Sequence, residues 1–143
     1  MRAILPMALL MLATAGCQMT VPFNTAPSRE GTTRLVLLEG IATYRQRIAL
    51  PPDATLIVRV QDVSLADAPA MLIAEKRLPT EGRQVPLPYA IEYDPARILP
   101  NHRITVSGRI EDGQGKLLWI TDTAIPLPAA GDRADLLLVQ VSG

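Results

Sequence analysis

Few residues in this chain carry the side chains that disulfides, zinc sites and aromatic stacking platforms require. It has one cysteine, one histidine, one tryptophan, one phenylalanine and three tyrosines. A single cysteine cannot form a disulfide within the chain, and a single histidine without partners cannot hold a zinc ion. Carbohydrate-binding surfaces usually need exposed aromatic rings in groups. We therefore expect a domain that folds without disulfides and that uses neither a metal nor a cofactor.

The chain also lacks an excess of charge of either sign. It contains 14 Lys and Arg residues against 14 Asp and Glu residues, and the basic residues do not cluster. Nucleic-acid-binding proteins display clustered Lys and Arg, so the sequence argues against a nucleic-acid partner. Glycine-rich phosphate loops, CxxC pairs and HExxH motifs are missing as well. Because no reaction motif is recognisable, we expect that the protein is not an enzyme.

The single cysteine lies where bacterial lipoproteins carry their lipid. Residues 1–16 read MRAILPMALLMLATAG, in which Arg2 precedes an apolar run too short to span a bilayer and then small residues. This is the layout of a bacterial export signal, and small residues followed by Cys17 look like a lipobox. We predict that residues 1–16 are a lipoprotein signal peptide and that Cys17 is lipidated. An ordinary cleaved signal peptide is the alternative.

The residues after the cysteine predict how the domain is held and where. Residues 17–33 are polar, contain two prolines and show no periodicity, so we predict a flexible tether. Gln18 stands where an Asp commonly retains lipoproteins at the inner membrane. We therefore predict that the lipid anchors the protein in the outer membrane and that the domain faces the periplasm.

From residue 34 onward the pattern is that of β-strands. Polar and apolar residues alternate along residues 56–61 and 103–110, as they do in half-buried strands. The expected strands cover residues 35–48 (one strand, or two with a bend at Gly40), 56–61, 70–78, 85–93, 103–110, 117–124 and 136–141. We predict one domain over residues 34–143, all-β, a single small β-sandwich of about seven strands of the immunoglobulin-like or transthyretin-like kind.

One expected strand contains prolines and one connection has a clear turn signature. Pro86 and Pro88 interrupt the alternating run of residues 85–93. Because proline cannot donate a hydrogen bond to a neighbouring strand, this run is predicted to be an edge or bulged strand. The sequence Asp-Gly-Gln-Gly at residues 112–115 predicts a hairpin turn, since glycine tolerates positive φ.

Four acidic or polar side chains are candidates for a chemical site. Asp62, Ser64 and Asp67 lie close together, but a serine nucleophile needs a base within reach, and a calcium loop needs alternating ligands and a glycine. We interpret the three as turn-forming residues, because Asp and Ser side chains bind nearby backbone N–H groups. His102, at a strand start, has no partner at a recognisable spacing, so we do not assign it as a ligand or base.

Arg45, Arg47 and Trp119 are candidates for binding. The two arginines are expected on one face of a strand, where they form either a solvated surface or a partner-binding face. Trp119 lies between apolar neighbours, and we interpret it as a core residue.

Residues 40–78 (GIATYRQRIALPPDATLIVRVQDVSLADAPAMLIAEKRL) resemble the YbaY/YscW family of bacterial lipoproteins. Residues 84–98 (QVPLPYAIEYDPARI) and 112–127 (DGQGKLLWITDTAIPL) are similar to it too. The resemblance implies a small β-sandwich domain that is exported and held by an N-terminal lipid. Some members are pilotins, which are chaperones for the outer-membrane secretin of type III secretion.

The resemblance favours a binding or chaperone-like module for another envelope component, either a secretin-like protein or a different client. The alternative is an envelope lipoprotein that binds polysaccharide or peptidoglycan. A long uncovered apolar edge strand would favour the first function, and an aromatic-lined groove would favour the second.

Overall fold

The computed structural model of the chain describes residues 33–142. Its strands are β1 (Val36–Thr43), β2 (Thr55–Asp62), β3 (Met71–Pro79), β4 (Leu87–Tyr93), β5 (Ile104–Glu111), β6 (Leu117–Thr121), β7 (Ile125–Pro126) and β8 (Leu136–Gln140). One short 3₁₀ helix, Pro95–Arg97, follows β4. The predicted all-β fold is therefore confirmed. The predicted signal peptide and nearly all of the predicted tether lie outside the described residues.

The strands form one sheet that curls until it nearly closes into a barrel. The hydrogen-bonded order is β3-β2-β5-β6-β8-β1-β4, and β7 pairs with β5 beside this path. All pairs are antiparallel except β1 with β8, which is parallel. The two end strands, β3 and β4, pack side by side without a ladder between them. The expected sandwich of two separate sheets is not observed, because one hydrogen-bonded path connects every strand.

The alternation in the sequence places one face of each strand in the barrel interior. In β4, every second side chain from Leu87 to Tyr93 is buried, while Pro88 and Glu92 are exposed. β4 is also an end strand of the sheet, as its prolines predicted. The core contains buried side chains from all the longer strands, including Leu56, Val58, Val60, Val106, Ile110, Leu136 and Leu138.

β1 passes through Gly40 as one strand, without the bend that the sequence left open. The glycine is needed for room, because an added Cβ would lie only 1.9 Å from the carbonyl oxygen of Ala134. The Tyr89 hydroxyl donates a hydrogen bond to that same carbonyl, and the Ala134 N–H donates to the Glu39 carbonyl at 2.9 Å. The segment before β8 is thereby held directly against β1.

Ion pairs cross the outer face of β3, β2 and β5. They join Arg59 to Glu75 at 2.6 Å, Arg77 to Glu75 at 3.5 Å and to Glu111 at 3.3 Å, and Arg109 to Glu111 at 2.9 Å. The Arg59 guanidinium lowers the pKa of the Glu75 carboxyl, since it donates a hydrogen bond to the ionised form. Ile57, on the same strand as Arg59, is fully buried. The charged side chains on this outer face therefore pair with one another.

The barrel has two ends that differ in what they carry. At the proximal end the chain enters at residue 33, and the connections 63–70 and 94–103 lie there as well. Strand register places them together, because Val36 pairs with Tyr93, and Asp62 pairs with both Met71 and Ile104. The distal end carries the connections 44–54, 80–86 and 112–116.

Candidate functional site

An open groove of about 390 Å³ lies at the distal end of the barrel. It is formed by the β1–β2 connection, the start of β6 and the segment that leaves β8. Its lining residues are Ile48, Ala49, Pro51, Lys116, Leu117, Leu118, Trp119, Gln140 and Val141. We call this feature the distal groove. Two of the apolar side chains that line it, Ile48 and Val141, are exposed to solvent.

The β1–β2 connection that forms one wall of the groove has a restrained backbone. The Tyr44 hydroxyl donates a hydrogen bond to the Ile48 carbonyl at 2.6 Å. Further along, the Leu50 N–H donates to Oε1 of Gln84 at 2.7 Å, and Nε2 of Gln84 donates back to the Leu50 carbonyl at 3.2 Å. These contacts anchor the loop on both sides of Ala49.

Arg45 and Arg47 lie in this loop, not on a strand. The prediction that they share a strand face is wrong, because β1 ends at Thr43 and residues 44–50 follow an irregular path. The Tyr44–Ile48 hydrogen bond closes this stretch into a turn, which an extended strand cannot form. Both arginine side chains are exposed, and neither forms an ion pair with any other residue between 33 and 142.

Trp119 is the aromatic residue among those that line the groove, and its ring packs on that of Tyr44. The rings of Tyr44 and Trp119 are stacked with a centroid distance of 3.7 Å and an interplanar angle of 7°. Burial raises the pKa of the Tyr44 hydroxyl. Trp119 is only 3% exposed, so its interpretation as a core residue is confirmed.

The aromatic residues bear directly on the carbohydrate-binding alternative. Tyr44, Tyr89, Tyr93 and Trp119 are all buried, and Phe23 lies outside the described residues. Over residues 33–142, no aromatic ring is therefore exposed as a platform on which a sugar could stack. The side chains that line the distal groove are mainly aliphatic, together with Trp119, Gln140 and Lys116.

The structure brings His102 to Asp62, a contact that the sequence reasoning missed. Nδ1 of His102 lies 2.5 Å from Oδ2 of Asp62. The Ser64 hydroxyl and N–H both donate to Oδ1 of Asp62, at 2.6 and 2.9 Å. These bonds lower the pKa of the Asp62 carboxyl to about 2, with the Ser64 hydroxyl as the largest cause and His102 next. The antiparallel pairing of β2 with β5, which places Asp62 opposite Ile104, is the signal that would have located the contact.

The order of the three side chains decides what this cluster can do. In a nucleophilic triad the imidazole stands between the serine and the carboxylate and removes the serine proton. Here the carboxylate of Asp62 stands in the middle, and the Ser64 hydroxyl accepts a hydrogen bond from the Arg103 N–H at 2.7 Å. The cluster therefore clamps two proximal connections together. The turn-forming interpretation of Asp62 and Ser64 is confirmed, and Asp67 is exposed in the same loop.

Two further findings apply to the residues that the structure describes. Among them, no group of three or more His, Cys, Asp or Glu side chains is arranged to hold a metal ion. No helix in this part of the chain has the length and hydropathy to cross a bilayer. The predicted lipidation residue, Cys17, lies outside the described residues.

Comparison with known proteins links nearly all of the described residues to a family of lipoproteins. Residues 33–138 match the family model described as "Type III secretion system lipoprotein chaperone (YscW)". The chain is 45% identical over 105 residues to the protein named "Uncharacterized lipoprotein YbaY" of Escherichia coli (strain K12), over 73% of this chain and 55% of that protein. The chain thus spans about half the length of that relative.

Among solved structures, the barrel is similar to an alternative pilotin from the type II secretion system of Vibrio cholerae. The TM-score is 0.71 and the sequence identity is 44%. The similarity covers 77% of this chain and 100% of the pilotin chain. All of the pilotin's solved fold is therefore represented in this domain.

Proposed function

The chain belongs to the YscW family of type III secretion system lipoprotein chaperones, and from this premise we propose that it is a lipid-anchored lipoprotein of the bacterial envelope that binds and assists another envelope protein. The observation that carries the proposal is the similarity to a pilotin over the full length of that pilotin's chain. The role is one of binding and not of catalysis, which the position of Asp62 between Ser64 and His102 supports.

The distal groove is the proposed docking site for the client, which is secretin-like or another envelope protein. Its aliphatic side chains suit apolar side chains of a client, Lys116 lines it, and Arg45 and Arg47 are exposed on the loop that supplies Ile48 to it. A client segment that alternates apolar and acidic residues would bury the first in the groove and pair the second with these basic side chains. Docking at the sheet edges is less favourable, because β3 and β4 face each other.

A paired charge reversal tests the docking site. Arg45→Glu with Arg47→Glu should weaken client capture several-fold and remove most of its salt dependence, while the melting temperature stays close to wild type, because both side chains are exposed. The measurement is photo-crosslinking in intact envelopes from a reactive residue at position 48, followed by identification of the crosslinked protein and titration of that protein in vitro.

The matched control is Arg34→Glu with Arg103→Glu, which makes the same charge change at the proximal end. It should capture the client like the wild type. If the two double variants behave alike, or if position 48 gives no client-specific crosslink, the distal groove is a solvated surface and the proposed docking site is wrong.

The lipid anchor is proposed at Cys17, with residues 1–16 as the signal peptide and 17–33 as the tether. A single acyl chain holds a protein only marginally, whereas a diacylglycerol thioether together with an acylated amino terminus holds it stably. Cys17→Ala should therefore abolish the lipid mass and release the protein from the membrane fraction. Mass spectrometry of the mature N-terminus checks this, and a mature form without lipid contradicts it.

Sorting to the outer membrane, with the domain facing the periplasm, is proposed from Gln18. Gln18→Asp should move the protein to the inner-membrane fraction on a density gradient. Native protein already in that fraction would count against outer-membrane sorting.

A further inference from the structure

The exposed apolar side chains of the domain are concentrated at its proximal end. Ten large apolar side chains are exposed among the described residues, and six of them lie at this end. The six are Leu35, Leu37, Leu65, Met71, Leu72 and Leu99, with exposed fractions of 42–69%. We call them the proximal patch. Single exposed apolar residues are ordinary, whereas a larger apolar surface marks a contact site. Leu37 borders Glu75, Lys76 and Glu92, and the other five lie on connections or strand starts at this end.

The backbone beneath the proximal patch is held by hydrogen bonds. Leu65 and Met71 line one small depression together with Asp62 and His102, whose side chains are bonded to each other. Arg97 donates to the Leu72 carbonyl at 2.7 Å and also to the next carbonyl of β3. The loops are thus fixed with their apolar side chains outward.

The position of the chain entrance indicates what this end meets. The described residues begin at Thr33, at the proximal end, 16 residues after the proposed lipid on Cys17. A chain of this length reaches at most roughly 55 Å when fully extended. The proximal end is therefore the part of the domain that is tied closest to the bilayer.

The charges of the same segments exclude a mainly electrostatic contact. Residues 33–37, 63–72 and 94–103 contain three arginines (Arg34, Arg97, Arg103) and two aspartates (Asp67, Asp94), so their charges nearly balance. An acidic or basic partner would not be selected by such a surface. Such a surface would select an apolar partner, because burying the exposed apolar side chains is favourable.

We propose that the proximal patch contacts the phospholipid surface in which the protein's own anchor is embedded. The proposal rests on the anchor of the proposed function. Surface-bound proteins place apolar side chains at the boundary of headgroups and acyl chains. The tether keeps the domain at high effective concentration beside the bilayer, so a weak contact is sufficient.

This contact sets the orientation of the domain. With the proximal patch on the membrane, the distal groove points away from it and stays accessible to a client in the periplasm. The lipid contact, being apolar, should persist at high salt, whereas client capture through Arg45 and Arg47 should weaken.

Fluorophores attached to introduced cysteines test the proposal on the mature lipidated protein. Leu65→Cys, Met71→Cys and Leu99→Cys each introduce a thiol, and the one native cysteine is blocked by its lipid. Each variant is labelled with a polarity-sensitive dye and reconstituted in phosphatidylethanolamine–phosphatidylglycerol vesicles, with and without nitroxide-bearing lipids. The matched control is Ile48→Cys, a 46% exposed apolar residue at the distal end.

We expect blue-shifted emission and several-fold stronger nitroxide quenching at the three proximal positions than at position 48, unchanged by salt. Equal signals at all four positions, or none at the proximal ones, overturn the proposal while the lipid mass of the same sample still supports the anchor. If the mass shows no lipid, the anchor is overturned. The proposed contact with the membrane that holds the anchor is then overturned as well.

Discussion

Replacing Trp119 by alanine should separate the protein-binding function from the carbohydrate-binding alternative. The indole is 3% exposed and stacks on Tyr44. Truncating a buried tryptophan costs about 4 kcal/mol through lost burial and the cavity left behind. For a domain of this size each kcal/mol lowers the melting temperature by roughly 4 °C, so Trp119→Ala should melt about 15 °C below wild type.

Tyr44→Phe provides the calibrating control. It keeps the stacked pair but removes the hydroxyl that donates to the Ile48 carbonyl. One lost hydrogen bond costs about 1 kcal/mol, which corresponds to a fall of roughly 4 °C. Thermal unfolding followed by circular dichroism measures both variants. In the wild type, fluorescence reports burial of the ring directly, since Trp119 is the only tryptophan.

The reasoning is refuted if Trp119→Ala melts no lower than Tyr44→Phe. The indole would then be an accessible ring, and the carbohydrate-binding function would regain its support. That outcome should be accompanied by polysaccharide binding to the wild type and by its loss in Trp119→Ala.

Three further predictions follow from single contacts. Gly40→Ala should lose about 3 kcal/mol of unfolding free energy, because its Cβ overlaps the Ala134 carbonyl. Gly108→Ala should lose clearly less, since the nearest neighbour of its Cβ is the movable end of the Leu136 side chain. Equal denaturation midpoints for the two variants would contradict this. The Asp62 carboxyl has a folded pKa of about 2, below its unfolded value near 4, so the stability it adds is complete above about pH 4 and fades as the pH falls toward 2. The stability deficit of Asp62→Asn relative to wild type should shrink as the pH falls through that range. A deficit that does not change with pH would mean that the ionised Asp62 carboxylate adds no stability. Arg97→Ala removes the hydrogen bonds to two carbonyls of the end strand β3 and should increase self-association in sedimentation velocity. An unchanged sedimentation coefficient would mean that Arg97 does not protect this edge from pairing.

Local signals in the sequence determined the elements and several of their roles. Alternation predicted the strands because burial of one face of a strand repeats every second residue. The missing N–H of Pro88 predicted an end strand, and Asp112 and its glycines predicted the turn between β5 and β6, where the Asp112 carboxylate accepts the N–H groups of Gln114 and Lys116. The motifs quoted from the chain also carried the family resemblance.

Tertiary structure decided what depends on residues distant in the chain. Closure of one sheet into a near-barrel depends on how far the sheet curls. The alternation of apolar and polar residues is the same in a barrel and in a sandwich, so it could not distinguish them. The residues that contact Gly40, His102 and Trp119 lie 40 to 94 residues away in the chain. The spacing of residues in the sequence therefore could not predict these contacts. Arg45 and Arg47 continue an alternating pattern past the end of β1, and the Tyr44–Ile48 hydrogen bond, which forms only in the folded loop, turns them off the strand.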